Sequence, residues 1–577
     1  MSSMLFGAKY RWMLPATQQA VLLDIASRYN FCLPVAQVLT SRGLTDAQTL
    51  NTYLFGSLQD TVPDGAMLKD AQKAVDRILK AIANHEKILV CGDYDVDGVT
   101  SSALMLICLL PLGAQVNFFL PHRTRDGYGL STKIVERAAR NGYTVIITVD
   151  NGITAFEPAQ VAQDLGIDLI ITDHHRQHEH LPDAYAIVNP NQYACPYPFK
   201  ALAGVGVSFK VMELLYRKQG LTLPPKVYEL LLLGTIADVV PLTGENRAWV
   251  RHGLHHINTI ESNALKILKR NGNITKPKIS SLDIGFSITP QINALGRLED
   301  ARQGVQFLIG DDHLIVENVG KTLYELNEAR KGIERSIFEQ IQKEIDKGAI
   351  NIADEKIIVA ASKSWPPGVI GLVASRLVST FARPAILFHI TNDGMAKGSC
   401  RSLGSFNIFD ALHQASDLID QFGGHSMAAG LSLKLDRIPE LKQRLELHAQ
   451  HHLAAEDLHK KLIIDADLLL SDVTAKLIHD LAYLEPFGHA NPQPIFCVRN
   501  VSIIDNPVLL KDTHVKCRVF ADGIIKPVIF FNSPELYPQL QNAINRPLTI
   551  AAQIMENHWQ GRSTIELCGL DIIGESA

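Results

Sequence analysis

The chain of 577 residues is short of several features that would assign it to a class at once. Its eight cysteines, Cys32, Cys91, Cys108, Cys195, Cys400, Cys497, Cys517 and Cys568, nowhere pair as C-x-x-C. Neither a zinc finger nor a disulfide framework is thereby indicated, and the cysteines read as core thiols of a reducing compartment. The longest apolar run, ALMLICLLPLGA from Ala103, stops short of the ~18 residues that a membrane span needs. The opening stretch, MSSMLFGAKYRWMLPATQQ, does not combine a basic segment, an apolar core and a small-residue cleavage site. A cytoplasmic location without membrane contact is the resulting expectation. No internal repeat or low-complexity tract is present. A net charge of −5 argues against broad nonspecific attraction to nucleic acid, while leaving room for a locally basic channel. Hydrophobic residues at 46% and charged residues at 20% describe an ordinary globular protein, and the length suggests three or four domains.

Residues 1 to about 65 carry no readable chemistry. From Ala71 onward, helical and strand patterns alternate: AVDRILKAIANH then KILVC, SSALMLICLL then QVNFFLP, STKIVERAARNG then YTVIITVD, AFEPAQVAQDLG then IDLIITDHH. Such alternation implies a parallel, doubly wound sheet with right-handed crossovers. A helical region runs from roughly Val205 to Ile309. In the segment that follows, Ile333, Ile337, Ile341 and Ile345 recur every four residues, which makes one long helix. At 1.5 Å per residue it extends ~50 Å, enough to bridge two domains. Residues 356 to 455 return to α/β alternation. Beyond about 461, short β segments separated by turns suit a small antiparallel barrel.

The stretch KILVCGDYDVDGVTSS raises the question of function. A core strand ends by placing Asp93, Asp95 and Asp97 within five residues. Asp150 ends a second strand, a third ends in Asp173, His174 and His175, and Asp238 follows the apolar LLLGTIA. Carboxyl ends of parallel strands form the ligand crevice of an open sheet, so these residues are expected to face one volume. A single Asp after a strand is usually a helix N-cap, and a lone His pair usually a surface turn. Four such coincidences are harder to explain that way, because buried carboxylates without compensation are costly. A divalent cation removes the repulsion. Carboxylates with one or two imidazoles and no thiolate cluster favour Mn²⁺ or Mg²⁺ over structural zinc. The number of carboxylates suits a two-metal site for phosphoryl-group hydrolysis. Asp173 and His175 are placed to orient His174.

GDYDVDGVTS, VDNG, TDHH and ADVVPL, in that order, resemble the four motifs of the DHH phosphoesterase superfamily. KGSCRS and FGGHSMAAG resemble its glycine-rich associated domain. PHRTRDGYGL, ALAGVGVSFK, PQINALGRLEDA, LNEARKGIE and LEPFGHANPQPIF extend the likeness over most of the chain, toward the branch that degrades single-stranded DNA from the 5′ end. The resemblance implies that Asp95, Asp97, Asp150, His174 and Asp238 hold the metals and perform catalysis, supported by Asp93, Asp173 and His175. It implies 5′ polarity, release of mononucleotides, a role in DNA repair and recombination, and a helicase and a single-strand-binding protein as partners. The implied architecture is α/β: an N-terminal segment (1–65), a parallel-sheet DHH domain with a helical subdomain (66–311), a connecting helix (312–348), a second α/β, DHH-associated domain (349–456) and an OB-type β-barrel (457–577). Two departures from the family pattern stand out. Cys91 occupies a place before GDYD where some relatives have His, and Pro366 follows Trp365 where His is frequent.

Candidate contacts to DNA come from arginine, serine, histidine and glycine. Arg123 and Arg125 follow a strand at the acid-bearing edge, and Arg297 lies in NALGRL. Arg401 and Ser402 in GSCRS, with Gly424 and His425 in FGGHSMAAG, offer donors and close backbone approach to phosphate. Trp559 and Phe496 are candidates for stacking on bases, with core packing expected at least as much for each. A strand threading between two domains would exclude a duplex. Two alternatives share the motifs: a phosphodiesterase acting on short oligonucleotides or cyclic dinucleotides, and a non-catalytic replication factor. The C-terminal β region argues against the first, and the complete set of acids against the second.

Overall fold

A computed structural model describes residues 4–16, 18–123, 125–127, 129–310, 312–559 and 562–574, the side chains at 558, 559 and 562 excepted. The chain forms two compact units. The described residues of Met1–Asp46, Ala329–Tyr483 and Pro494–Ala577 make one, and those of Ala47–Glu328 and Leu484–Gln493 make the other. Among the described residues no helix is long and apolar enough to cross a membrane, and all eight cysteines are free thiols.

The first short strands, β1 (Met4–Phe6) and β2 (Arg11–Met13), belong to the former unit. The latter unit is built on a five-stranded sheet of β3 (Lys87–Cys91), β4 (Gln115–Phe119), β5 (Tyr143–Val149), β6 (Asp168–Thr172) and β7 (Ala186–Val188), in the order β4-β3-β5-β6-β7. Every pairing is parallel, as the alternating pattern requires. The central strands are continuous apolar runs because helices cover both faces. Val90, Ile146, Ile147, Ile170 and Ile171 are fully buried. The expected helical region follows as separate helices, among them Gly204–Lys218, Lys226–Ala237 and Thr289–Leu298.

This unit also takes in residues 484–493. The Ser281 hydroxyl donates to the Phe487 carbonyl (2.6 Å), and the Leu242 N–H donates to the His489 carbonyl (2.8 Å). The long helix expected from the isoleucine repeat is continuous over His313–Asp346. Its residues up to Glu328 belong to this unit and those from Ala329 to the other.

In the other unit, β8 (Ile358–Ser362), β9 (Ala385–Ile390), β10 (Met395–Arg401), β11 (Gln421–His425) and β12 (Ala428–Lys434) form a sheet ordered β11-β12-β10-β9-β8. Only β8 and β9 pair in parallel. The strand β13 (Lys461–Ile463) lies beside β2. The C-terminal strands are β14 (Ala466–Leu468), β15 (Phe496–Ile503), β16 (Val508–Leu510), β17 (His514–Ala521), β18 (Ile524–Phe530), β19 (Pro547–Trp559) and β20 (Arg562–Gly574). Pairing runs β15-β19-β20-β18-β17 and returns to β15, so five strands form a ring. The expectation of a wholly antiparallel arrangement is corrected at β18–β20 and β14–β15, which are parallel. A parallel pair needs a long return of the chain, and residues 531–561 supply it between β18 and β20.

The N-terminal residues are tied to this ring by one carboxylate. Asp571, fully buried in β20, accepts the N–H groups of Lys9 (3.0 Å) and Tyr10 (3.0 Å) and the Trp12 indole N–H (2.8 Å). Replacing it leaves three donors without a partner, the Trp12 indole N–H fully buried and the two backbone N–H groups partly so, each costing free energy. Asp571→Ala is expected to lose on the order of 3 kcal/mol. The check is earlier proteolytic release of the N-terminal residues, together with a lowered melting temperature.

Candidate metal centre

Strand register sets the site before any side chain is considered. Cys91 is level with Thr148, and Val149 with Thr172. The segments that begin at Gly92, Asp150 and Asp173 therefore leave neighbouring strands at the carboxyl edge, where open α/β sheets bind ligands.

Each acid is fixed by the element it ends or begins. Asp95 caps the helix Val96–Leu109, one carboxylate oxygen accepting the Gly98 N–H (3.1 Å). The N-cap role thus falls on Asp95 and uses one side of its carboxylate. Asp97 accepts the N–H groups of Gly204 (2.6 Å) and Val205 (2.8 Å), at the start of helix Gly204–Lys218. Those donors and the helix dipole favour its charge. Gly204 has to be a glycine: a Cβ there would lie 2.6 Å from the Cβ of Asp150. Asp150 itself adopts the left-handed conformation (φ 61°). Asp238 follows the helix Lys226–Ala237, its N–H donating to the Gly234 carbonyl (3.0 Å). Asn151, unremarked in the sequence, locks two of the strand ends together. Its amide donates to the carbonyls of Cys91 (3.1 Å) and Val149 (2.9 Å).

His174 stands at the centre. Its Nε2 is 3.2 Å from Asp150 Oδ1, 3.6 Å from Asp238 Oδ2 and 4.0 Å from Asp97 Oδ2. Burial, followed by the adjacent His175 charge, pushes its pKa down to about 4, so the imidazole is neutral near pH 7. Asp173 organises the turn. One oxygen accepts the N–H groups of His174 (2.7 Å) and His175 (3.1 Å) and faces His175 Nδ1 at 2.7 Å; the other accepts the Ile153 N–H (2.9 Å). Although burial opposes it, the Asp173 hydrogen bond and charge raise His175 to about 9. Asp173→Asn is expected to bring His175 back toward an ordinary imidazole value near 6.5, read by an NMR pH titration of that ring. Asn189 and Asn191 complete the turn by donating to the carbonyls of His175 (2.9 Å) and His174 (2.5 Å).

Three overlapping groups offer ligand atoms within 4.8 Å of one another: Asp150, His174 and His175; Asp97, His174 and Asp238; Asp93, Asp95 and Asp150. Desolvation raises Asp93, Asp97, Asp150 and Asp238 above ordinary carboxylates, Asp97 to about 7, and mutual repulsion adds to it. His174 Nε2, Asp238 Oδ2 and Asp93 Oδ1 are buried and make no hydrogen bond among the described residues. Hard oxygen donors, a neutral imidazole and unsatisfied buried atoms fit divalent cations of the Mn²⁺ or Mg²⁺ kind. Asp93, expected in a supporting place, stands among the potential ligands. Cys91 does not: it packs with Leu130, Ile134 and Ile146, and burial pushes its thiol up to about 12. The departure at that position is absorbed by the apolar core.

The expected DNA contacts divide between the units. Arg123 lies over the Tyr94 ring (4.2 Å) and its charge acts on Asp93; its Nε is buried without a hydrogen bond among the described residues. Arg297 acts electrostatically on the same tyrosine. Its helix, Thr289–Leu298, meets the acidic loop directly, Asn293 accepting the Val96 N–H (3.3 Å). Arg125 is exposed. In the other unit, Arg401 ends β10 with its guanidinium hydrogen-bonded to the Cys400 carbonyl (2.8 Å) and Ser399 (3.2 Å), and His425 is exposed at the end of β11. Two of these residues also have a role in the local fold. Ser402 is buried and its hydroxyl donates to the Phe406 carbonyl (2.7 Å), so the loop uses that proton. Gly424 (φ 141°) is demanded by its own hairpin, since a Cβ would lie 2.4 Å from the Ala428 carbonyl oxygen. Phe496 is fully buried in the ring's core, which removes it as a stacking surface; the Trp559 side chain lies outside the described residues. Pro366 immediately precedes the helix Pro367–Phe381.

The parallel sheet with acids and the Asp-His-His turn at its carboxyl edge defines a DHH protein. The model of the DHH family N-terminal domain matches residues 87–235, the DHHA1 domain 354–450 and the RecJ OB domain 464–571. The chain is 35% identical over 565 residues to the single-stranded-DNA-specific exonuclease RecJ of Bacillus subtilis, covering 98% of this chain and 71% of that protein. It is 34% identical to RecJ of Escherichia coli, covering 92% and 94%. The crystal structure of RecJ from Thermus thermophilus in complex with Mn²⁺ superposes with a TM-score of 0.82 at 27% identity, covering 98% of this chain and 80% of that one. The chain belongs to the RecJ family.

Proposed function

We propose that this chain removes mononucleotides from the 5′ end of single-stranded DNA by metal-assisted phosphodiester hydrolysis. The observation that carries this reading is a set of buried, mutually repelling acids gathered around a neutral imidazole, with Asp150 in two of the three ligand groups. Asp97, His174 and Asp238 would hold one Mn²⁺ or Mg²⁺, and Asp93 and Asp95 a second, with Asp150 common to both. Bound there, such a pair supplies Lewis-acid activation of water and stabilises the departing oxygen. The protein's own groups do the rest. Asp173 keeps His175 protonated, so a fixed positive charge offsets the acids. Arg123 and Arg297 are placed to bind phosphate oxygens beside the acidic loop, Arg297 less directly than Arg123. Arg401 and His425 are assigned to a phosphate nearer the 5′ end, and the OB region to the strand beyond. A cytoplasmic setting, and work alongside a helicase and a single-strand-binding protein in repair and recombination, belong to the same proposal.

The test is a degradation assay run side by side on single-stranded DNA labelled at the 5′ end, the same label in a duplex, and a dinucleotide, each with Mn²⁺ and with chelator. Release of labelled mononucleotide from the single strand, dependent on Mn²⁺, is expected. Preference for the dinucleotide would instead indicate a small-nucleotide phosphodiesterase, and no hydrolysis of any substrate would indicate a binding protein.

A further inference from the structure

Two exposed apolar residues, one directly after Asp238 and one in a turn packed on the helix that ends there, have unusual backbone conformations. Val239 directly follows Asp238 and adopts a left-handed conformation (φ 59°) with its side chain 63% exposed. For a β-branched residue this is a genuine outlier, and glycine or asparagine would occupy the position at lower cost. Phe286 lies in a π-helical turn, Ile284–Ile288, and is 80% exposed. Turns of this kind are uncommon and often mark functional sites. Both features adjoin the helix Lys226–Ala237: Val239 lies two residues past its last residue, and the π-turn packs against it. A Cβ at Gly285 would stand 3.5 Å from Ile236, which is itself two residues before Asp238. The same run of helix continues through Asn293, bound to the acidic loop, to Arg297.

We propose that Val239 and Phe286 form an apolar platform for a nucleobase of the strand whose phosphate is held at the metal centre. This rests on the nuclease reading above and deepens it by naming what that site grips besides phosphate. A phenyl face accepts any base, since every base has a π-face, and so gives purchase without sequence preference. The adjacent valine limits how far the sugar and base can slide past Asp238. A strained backbone retained at a functional site is understandable if the side chain it presents touches substrate. A protein partner would also cover exposed apolar residues. The position next to Asp238, on the helical run that carries Asn293 and Arg297, favours DNA.

The experiment uses the full chain with Mn²⁺ and two labelled oligomers, oligo(dT) and the same length with abasic sugars in its first positions. The parent is expected to degrade the base-bearing oligomer about five- to a hundredfold more efficiently, the range for losing one stacked base. Phe286→Ala and Val239→Gly are expected to shrink that ratio toward one, chiefly through KM. Phe286→Trp should restore it, and its indole emission should be quenched by oligo(dT) in chelator. An unchanged ratio in both variants, or an indole blind to oligo(dT), overturns the platform while leaving the nuclease reading intact. Failure of the parent to hydrolyse either oligomer removes both.

Discussion

Asp150→Asn is expected to lower hydrolysis of single-stranded DNA by about a thousandfold or more, while the metal-free protein melts at an equal or higher temperature. Asp150 belongs to two of the three ligand groups and its Oδ1 lies 3.2 Å from His174 Nε2, a member of the third, so its loss is expected to reach both candidate cation positions. Asparagine keeps the volume and one oxygen but removes the charge. Lewis-acid activation is worth several kcal/mol at the transition state, and ~4 kcal/mol corresponds to a rate factor near 10³. Stability should move the other way. Burial and the charges of Asp97, Asp95, Asp238 and Asp93 all disfavour an ionised Asp150, so deleting one negative charge relieves repulsion that the metal-free protein cannot offset. The pair of measurements is kcat/KM with Mn²⁺ and a thermal melt in chelator. DNA binding should be largely retained, and His174→Ala should behave alike in hydrolysis. A general collapse of the fold would lower both readouts together and is therefore distinguishable.

The second large effect is a pH dependence that changes with metal. In chelator, the unit containing the centre should become less stable as pH rises from about 6.5 to about 9. The folded protein keeps a proton on His175 up to about 9 and on Asp97 up to about 7, whereas the unfolded chain has released both by pH 6.5 to 7. In that window the folded state binds more protons, so stability falls with rising pH, by about 1.4 kcal/mol per unit for each proton difference. Below 6.5 the trends oppose. His174, depressed to about 4, makes stability rise with pH, while Asp97 makes it fall. Saturating Mn²⁺ should offset the alkaline loss, because cations bind the ionised carboxylates; at a hundred times Kd the gain is about 2.7 kcal/mol. Melting curves at pH 6.5, 7.5 and 9, with and without Mn²⁺, read this directly. A flat metal-free profile would show that Asp97 and His175 do not titrate as their surroundings dictate.

Much of the site was legible because its signals are local. Asp150 and Asp173 each end an apolar run, and a parallel sheet brings such ends together wherever the strands are neighbours. The long helix was legible for the same reason, from four isoleucines at one spacing. What escaped depends on partners distant in sequence. Nothing in GDYDVDG says that Asp97 will receive the N–H groups of Gly204 and Val205, or that Asp93 will share a group with Asp150. The resemblance to other family members directed attention to Cys91, whose side chain points into the apolar layer instead. Phe496 illustrates a different gap, since a strand of a closed ring alternates inside and outside and pattern alone does not give the phase. The N-terminal residues were silent because Trp12 finds its partner at Asp571, 559 residues away. The exposed Phe286 carried no signal at all until its burial was known.

The central claim is that the acids around His174 form one centre in which Asp150 is shared. It is tested most directly by counting Mn²⁺ ions bound per chain, from the loss of the free-ion paramagnetic resonance signal, for the parent, Asp93→Asn and Asp150→Asn at pH 8. Two ions in the parent, one in Asp93→Asn and neither held tightly in Asp150→Asn is the expected result. Retention of the parental count and affinity by Asp150→Asn would contradict it.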